Sequence, residues 1–425
     1  MKIKFFFFLL LSLYIVNCTF YIEAQATIRY VSKTGTSTPP YTSWQTAADS
    51  IQKCINICID GDTIYVGNGV YYEYVYVDKT IDLIGSSVDS TIVNGFGTPG
   101  NYIFYFFENN SFIENFQLKS PGQLKIGIYT WYSNLNAKNC IIDSVAFPIR
   151  PFNSSVNIND FIIKNFTGYN AIFEECPADT CHPTINDNII ISKNNGATPA
   201  VSFGFGGYPT FTNNIVIDEG QTTLIGVFSG QKPGAIIKNN LISNYKNQGI
   251  SIGTITSDTT FILNNNITNI YNSGIQDGSI VTGTGNRTKV ENNIIKDGYR
   301  AYYNYNSQPL KVDYNIHWML QEIIAGQPFI GDSNIIADPM FVNDTIPTAN
   351  GDYDFHLQKY SPAIDKGDPS ILDVDGSRSD IGMFGGPLGE SYTYQDLAPK
   401  PPGNLTATMD SGLVHLKWNK NTEAD

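Results

Sequence analysis

The sequence predicts an all-β fold, a right-handed single-stranded parallel β-helix, and three observations carry that prediction. First, a unit made of an apolar residue, two intervening residues, an Asn and an aliphatic residue recurs at Ile185–Ile189, Phe211–Ile215, Ile237–Leu241, Leu263–Ile267, Val290–Ile294 and Val312–Ile316. Second, its Asn residues at 188, 214, 240, 266, 293 and 315 are spaced by 26, 26, 26, 27 and 22 residues, and weaker copies precede them around Asn115, Cys140 and Asp160. A fixed period of this length is the signature of a repeat architecture. Third, the repeats are rich in Ile, Val, Thr, Asn and Gly and lack a sustained 3.6-residue apolar stripe, so they read as short strands between turns.

Each unit then forms one rung of three short strands, with neighbouring rungs about 4.8 Å apart. The period keeps Asn188, Asn214, Asn240, Asn266, Asn293 and Asn315 in register as a ladder at one turn. Their amides are expected to bond from rung to rung and to tolerate a left-handed backbone. Ile189, Ile215, Leu241, Ile267, Ile294 and Ile316 are expected as an aliphatic column inside the coil. An open solenoid end exposes strand edges and needs a cover. Residues 43–59, with Ala47, Ala48, Ile51, Cys54, Ile55 and Cys58 on one face, predict an amphipathic helix that caps the first end. A strand at Thr63–Val66 follows it and starts the coil near residue 60. The irregular stretch after about residue 330, rich in Asp, Pro and Gly, is expected to close the other end.

The N-terminus reads as a processing signal. Lys2 and Lys4 precede an apolar run from Phe5 to Val16 and then Ala24-Gln25-Ala26, the layout of a secretory signal peptide over residues 1–26. The run is too short to span a bilayer comfortably, so a secreted or cell-surface chain beginning at Thr27 is expected. Cys18 could accept a lipid, but Asn17 stands where such sites carry a small residue. Five cysteines follow. Cys176 and Cys181 flank a Pro-containing loop and are expected to pair in an oxidising compartment. Cys54 and Cys58, on successive turns of the expected helix, suit buried thiols better than a disulfide. Cys140 falls on a repeat core position and is expected to be buried. A net charge of −13 without a basic cluster argues against nucleic acid and anionic membranes as partners.

The stretch from Ser50 to Gly85, including GDTIYVGNGVYYEYVYVDKTIDLIG from Gly61, resembles the opening of pectate-lyase-like right-handed β-helix proteins of bacterial surfaces. ADPMFVND from Ala337, SPAIDKGDP from Ser361 and DVDGSRSDIGMFGGP from Asp373 resemble the C-terminal closure of the same exported group. The resemblance covers most of residues 28–388 and implies a β-helix domain over 27–388. It also implies a partner class, extracellular polysaccharide or a cell-surface glycan, but no activity, since the group holds lyases, hydrolases and esterases. Residues 389–402 read as a linker. From 403 the chain is similar to the first strands of a fibronectin type III module, with Leu405, Val414, Leu416 and Trp418 alternating. A complete sandwich needs about 90 residues, so at least one further domain is expected beyond Asp425.

The enzyme motifs of the group are missing: there is no paired-Asp and Gly-His-Gly pattern and no Arg-Pro-Trp pattern. GVYYEYV from Gly69 resembles only the least diagnostic esterase motif, and Glu73 within it suits a first-rung surface position. The expected function is therefore recognition of extracellular polysaccharide without an identifiable catalytic site. The alternative is a polysaccharide lyase or glycosidase acting on uronate-containing glycans. A lyase needs a cation or Ca²⁺ to neutralise the uronate carboxylate and a Lys, Arg or Tyr base. Arg300 with Lys296 and Tyr302 is the candidate set, and a solvated face with stacked aromatics is the competing reading. Tyr303 and Tyr305 there, and Tyr129 and Trp131 on one face of an earlier strand, are candidate sugar-stacking residues. Core packing is the other reading of the Tyr129 strand. No cofactor is required; Asp373, Asp375 and Asp380 have a spacing that could ligate Ca²⁺, or could make a turn that closes the solenoid. Four scattered histidines support neither a zinc site nor a triad.

Overall fold

The computed structural model describes residues 25–177, 180–193, 198–220, 222–231, 234–253, 259–277, 288–305, 310–326, 329–400 and 404–419. The signal-peptide reading falls on residues outside these, apart from Gln25 and Ala26. The chain coils into a parallel β-solenoid whose rungs each supply strands to three columns. The first column is a 13-stranded sheet running from Ile28–Val31 through Thr63–Val66 to Phe329–Ile330. The second and third columns are joined in a 20-stranded network. In its last rungs the two strands of a turn merge into single long ones, Asn266–Asp277, Ile294–Asn304 and Ile316–Gly326.

Register across the columns makes the core. In the first, Ile158, Ile185, Phe211, Ile237, Ile262, Val290 and Val312 stack rung on rung. In the second, Ile163, Ile190, Val216, Ile242, Ile267 and Ile295 do so, followed by His317. In the third the sequence is Ile149, Ile172, Val201, Val227, Ile250, Ile275, then Tyr302. All of these are buried and, His317 apart, belong to one apolar cluster. Because successive side chains of a strand point to opposite faces, each column of inward residues leaves an outward column beside it.

The Asn ladder exists, with one member changed. Asn188, Asn214, Asn240, Asn265, Asn293, Asn315 and Asn334 form it. Each of the last six accepts, through Oδ1, both the backbone N–H and the Nδ2–H of its predecessor at 2.9–3.1 Å. Asn266, expected in the ladder, stands one residue beyond it. It is the last of three consecutive asparagines, 264–266, and spacing alone did not choose among them. The left-handed conformation also belongs to a different column: Asn213, Asn239, Asn264 and Asn292, each just before a ladder Asn, have φ of 55°, 56°, 53° and 58°. In the earlier rungs the same left-handed place is held by Asn115, Asn139 and Asp160, and the ladder place after it by Phe116, Cys140 and Phe161.

The predicted aliphatic column is corrected in the same way. Ile189, Ile215, Leu241, Ile294 and Ile316 pair with one another in an outward column in which Asn266 stands between Leu241 and Ile294; only Ile267 of the expected set points inward. Leu241, Ile294 and Ile316 of the outward set are buried by the C-terminal segment, and Ile215 is partly covered by it. Phe341, Phe355, Leu357, Ala363 and Ile381 pack on Leu241, Ile294 and Ile316 as a second core. The segment after 330 therefore lies along the flank of the coil instead of only plugging its end. The left-handed asparagines dock it there: Asn239 donates to the Met383 and Gly385 carbonyls, Asn264 to the Asp380 carbonyl, and Asn292 accepts from the Asp368 N–H.

At the first end the coil starts at Ile28, earlier than residue 60, because Ile28–Val31 pairs in register with Thr63–Val66. The expected helix over 43–59 contracts to Ile51–Ile55. Ala48 instead bridges to Val31 and exchanges backbone bonds with Tyr30 and Ser32, which keeps Ala48 out of a helix. The short helix is fixed by Glu73, whose carboxylate accepts from the Ser50 hydroxyl and from the Ile51 and Gln52 N–H groups at 2.8–3.0 Å. Gln52 donates to the Tyr76 carbonyl and accepts from the Tyr76 N–H, so a side-chain amide takes the place of a strand at that edge. Cys54, Cys58 and Cys140 are buried free thiols. Residues 404–419 contain an exposed antiparallel hairpin, Thr406–Asp410 with Leu413–Lys417.

Candidate functional site: an aromatic face on the third column

The outward face of the third column, over its first rungs, is paved with rings. The strands Tyr102–Phe107, Ile126–Trp131 and Phe147–Phe152 share one burial rhythm. In it the second, third and fifth residues are buried and the first, fourth and sixth face outward, half-buried. Register then stacks outward residues: Tyr76, Tyr105, Tyr129 and Arg150 in one file, and Phe107, Trp131 and Phe152 in the next. Tyr102 stacks on Tyr129 with centroids 4.8 Å apart, Tyr105 meets Tyr129 edge-on at 5.2 Å, and Trp131 lies flat on Phe152 at 4.4 Å. Such pairs lock the ring planes beyond what area burial supplies. Tyr132, in a left-handed turn at φ 50°, stands 53% exposed beside Trp131.

Tyr129 and Trp131 thus do share an outward face, as parts of a wider strip. Tyr76, Tyr102, Tyr105, Phe107 and Phe152 escaped sequence reasoning. The signal that would have found them is the alignment of YIFYFF, IGIYTW and FPIRPF, three copies of one strand whose outward places are nearly all aromatic or aliphatic. Burial beside Tyr102, Tyr105 and the Glu175 carboxylate pushes the Tyr129 hydroxyl up to about 12, so it stays a neutral donor and acceptor.

Arg150 interrupts the strip as structure. Its guanidinium donates to the Ile149 and Asn170 carbonyls at 2.9 and 3.1 Å and lies 5.1 and 5.5 Å from the centres of the Phe147 and Phe173 rings. Burial pushes it down to about 10, against the opposing pull of Glu175.

The Arg300 set is not brought together. Lys296 is 3% exposed and bound to Asp344 and Asp297 at 2.6 and 2.8 Å. Tyr302 lies wholly inside the coil, where its hydroxyl meets His317 Nε2 at 2.8 Å; burial pushes His317 down to about 4. Arg300 alone faces outward, its Nε 3.2 Å from Glu322 and its guanidinium over Tyr299 and Tyr303 at 4.8 and 4.9 Å. Tyr303 and Tyr305 pack ring to ring at 4.0 Å beside it. The members separate because alternation breaks at this bend: 301 and 302 are both buried, while 300 and 303 are only half-buried. Next to them opens a cleft of about 450 Å³ lined by Asn269, Ile270, Tyr271, Asp297, Gly298, Tyr299 and Gln321.

Asp373, Asp375 and Asp380 likewise do not converge on one point. Asp373 accepts from the Asp380 and Gly386 N–H groups, Asp375 from Ser377, and Asp380 from the Asp365 N–H and the Tyr394 hydroxyl. These are the bonds of a turn that shapes the flanking segment.

Among the described residues one trio of metal-ligand type does lie together, Glu174 with Cys176 and Cys181. The two sulfurs are joined in a disulfide. Glu174 is 1% exposed, both its oxygens lack a hydrogen-bond partner, and burial, with Glu175 adding to it, pushes its carboxyl up to about 8. A carboxyl raised in the folded state holds its proton there after the unfolded chain has lost it, so stability falls as pH rises from about 4.5 through 8. Glu174→Gln keeps the shape without the acid. Urea midpoints measured across this range are expected to flatten, with a gain of at least about 1 kcal/mol at the alkaline end.

No protein-family model matches the chain, and no curated protein matches it. Among solved structures it is similar to a hyperthermoactive exopolygalacturonase from Thermotoga maritima, at 10% identity over 64% of this chain and 84% of that one, with a TM-score of 0.45. It is similar to the pectate lyase Pel9A at 14% identity over 85% of this chain and 96% of that one, with a TM-score of 0.46. A third likeness is to the A-module of the mannuronan C-5 epimerase AlgE6 of Azotobacter vinelandii, at 11% identity over 69% and 96%, with a TM-score of 0.31.

Proposed function

We propose that this is an extracellular polysaccharide-recognition protein that binds glycan along the aromatic face of its third column. The observation that carries the reading is the half-exposed strip of Tyr76, Tyr102, Tyr105, Phe107, Tyr129, Trp131 and Phe152, held in register by the rungs. Pyranose rings present C–H faces that stack on such surfaces, and a strip spanning several rungs suits a chain of sugars. The rings are braced against each other before any ligand arrives, which lowers the ordering cost of binding. The hairpin 406–417 supports a fibronectin type III-like spacer. Its Ala407, Met409, Val414 and Leu416 occupy one face and Thr406, Thr408, His415 and Lys417 the other, the pattern of a sheet awaiting a second layer.

The test is retardation of the purified protein in native gels containing a panel of soluble polysaccharides. Trp131→Ala is expected to lose at least about tenfold in affinity for whichever glycan retards the parent. Circular dichroism checks that the coil persists. Retardation that survives Trp131→Ala and Tyr129→Ala together sinks the reading. Unsaturated uronate ends, followed by their ultraviolet absorbance, would identify the lyase alternative, and loss of that activity in Arg300→Ala would place it by the 450 Å³ cleft.

A further inference from the structure

We infer that the aromatic face selects a neutral glycan and rejects polyuronates, an inference that rests on the strip being the binding surface. Recognition of a uronate chain needs cations free to meet its carboxylates. The cations on the strip's strands and the residues flanking them are Lys79, Lys125 and Arg150, and each is already engaged. Lys79 is paired with Asp78 at 2.9 Å. Lys125 is 5% exposed, its ammonium wrapped by the carbonyls of Thr98 and Gly100, each at 2.7 Å, and of Pro99 at 3.4 Å, and by the Thr98 hydroxyl at 3.0 Å. Arg150 gives N–H groups to the Ile149 and Asn170 carbonyls, and its guanidinium lies 5.1 and 5.5 Å from the centres of the Phe147 and Phe173 rings.

The charge that does reach the rings is mostly negative. Tyr76 lies in the field of Asp78 and Glu108, relieved in part by Lys79. Tyr105 lies in that of Glu108, and Tyr129 in that of Glu175. Asp78, Glu108 and Glu175 offset Lys79, Lys125 and Arg150, so the strip carries no positive excess to draw a polyanion, on a chain whose formal net charge is −13. A polyanion brought there meets three carboxylates and only cations that already hold partners, while the hydroxyls and C–H faces of a neutral pyranose meet rings and phenols.

The experiment is affinity electrophoresis of the full chain against neutral probes (glucomannan, arabinoxylan, xyloglucan) and acidic ones (polygalacturonate, alginate), at low and at high salt. The expected result is retardation by at least one neutral probe, unchanged by salt and weakened at least about tenfold by Trp131→Ala, with neither acidic probe retarding the protein at low salt. Salt-sensitive retardation by an acidic probe that Trp131→Ala abolishes overturns the neutral selectivity and leaves the strip as the binding surface. Retardation indifferent to Trp131→Ala and Tyr129→Ala, or none by any probe, overturns the strip itself.

Discussion

Asn240→Ala is expected to cost about 3 kcal/mol or more, the larger end of single-site effects, because the amide is the middle of a buried relay. Its Oδ1 accepts from the Asn214 N–H at 2.9 Å and from Asn214 Nδ2 at 3.1 Å. Its Nδ2 donates to the Phe211 and Lys238 carbonyls and to Asn265 Oδ1 at 3.0, 2.8 and 2.9 Å. The residue is wholly buried, so water cannot replace these partners in the folded state, and two donors of Asn214 are orphaned at once. Asn266→Ala is the control. It stands one place outside the ladder, offers Oδ1 to the Met383 N–H at 3.2 Å, and has an Nδ2 with no partner, so its loss is expected to stay near 1 kcal/mol. Denaturant midpoints of the two variants check this. Equal midpoints would remove the distinction between Asn265 and Asn266 as ladder members. Because a solenoid unfolds by rungs with nearest-neighbour coupling, the Asn240 variant is also expected to broaden the transition.

The second large effect belongs to Asp62. The carboxylate is wholly buried and accepts from Arg29 Nε at 2.8 Å, from the Thr27 N–H at 2.6 Å and from the Ile59 N–H at 3.1 Å. Arg29, 8% exposed, has its remaining tie to the Pro40 carbonyl. Asp62→Ala therefore leaves a guanidinium buried without its counter-charge, and the expected loss is about 3–5 kcal/mol. The pH dependence follows from the direction of the shift. Burial opposes the charge, but Arg29 and the two backbone N–H groups outweigh it and hold the carboxyl below its ordinary value of 3.8. The folded state thus binds the proton less readily than the unfolded chain. The stabilisation is present above that ordinary value and is lost as pH falls through the lower folded one. Melting followed from neutral to strongly acid pH is expected to show a shallower acid limb in Asp62→Ala than in the parent. An unchanged limb would assign the acid sensitivity to other carboxyls.

The repeat was legible because its physical cause is local and periodic. An amide that must bond its counterpart one rung away brings an Asn back at every turn, here after 26, 26, 25, 28, 22 and 19 residues, and that recurrence is countable in the chain. The period located the rungs and the buried place of Cys140, and strand alternation alone put Tyr129 and Trp131 on one face. Where three asparagines are consecutive at 264–266, the period does not distinguish the left-handed place, the ladder place and the outward place. The backbone does: φ is 53° at Asn264 and the ladder bonds run through Asn265.

What only the tertiary structure decided is which outward surface is covered and which is left to solvent. Ile215, Leu241 and Ile294 read as core, and they are covered, but by a segment some hundred residues later whose docking depends on Asn239, Asn264 and Asn292. The rings of the aromatic strip are half-buried, and nothing in the described chain folds over them. Likewise Lys296, Arg300 and Tyr302 are neighbours in sequence, yet one is held by carboxylates, one faces solvent and one points into the coil. Hydrophobic pattern states that a side chain prefers to leave water; whether it meets the interior, a returning segment or a ligand is set by contacts between residues far apart in the chain. The sequence by itself determined the coil and its period, and the folded arrangement of distant segments determined which faces of the coil are left to solvent.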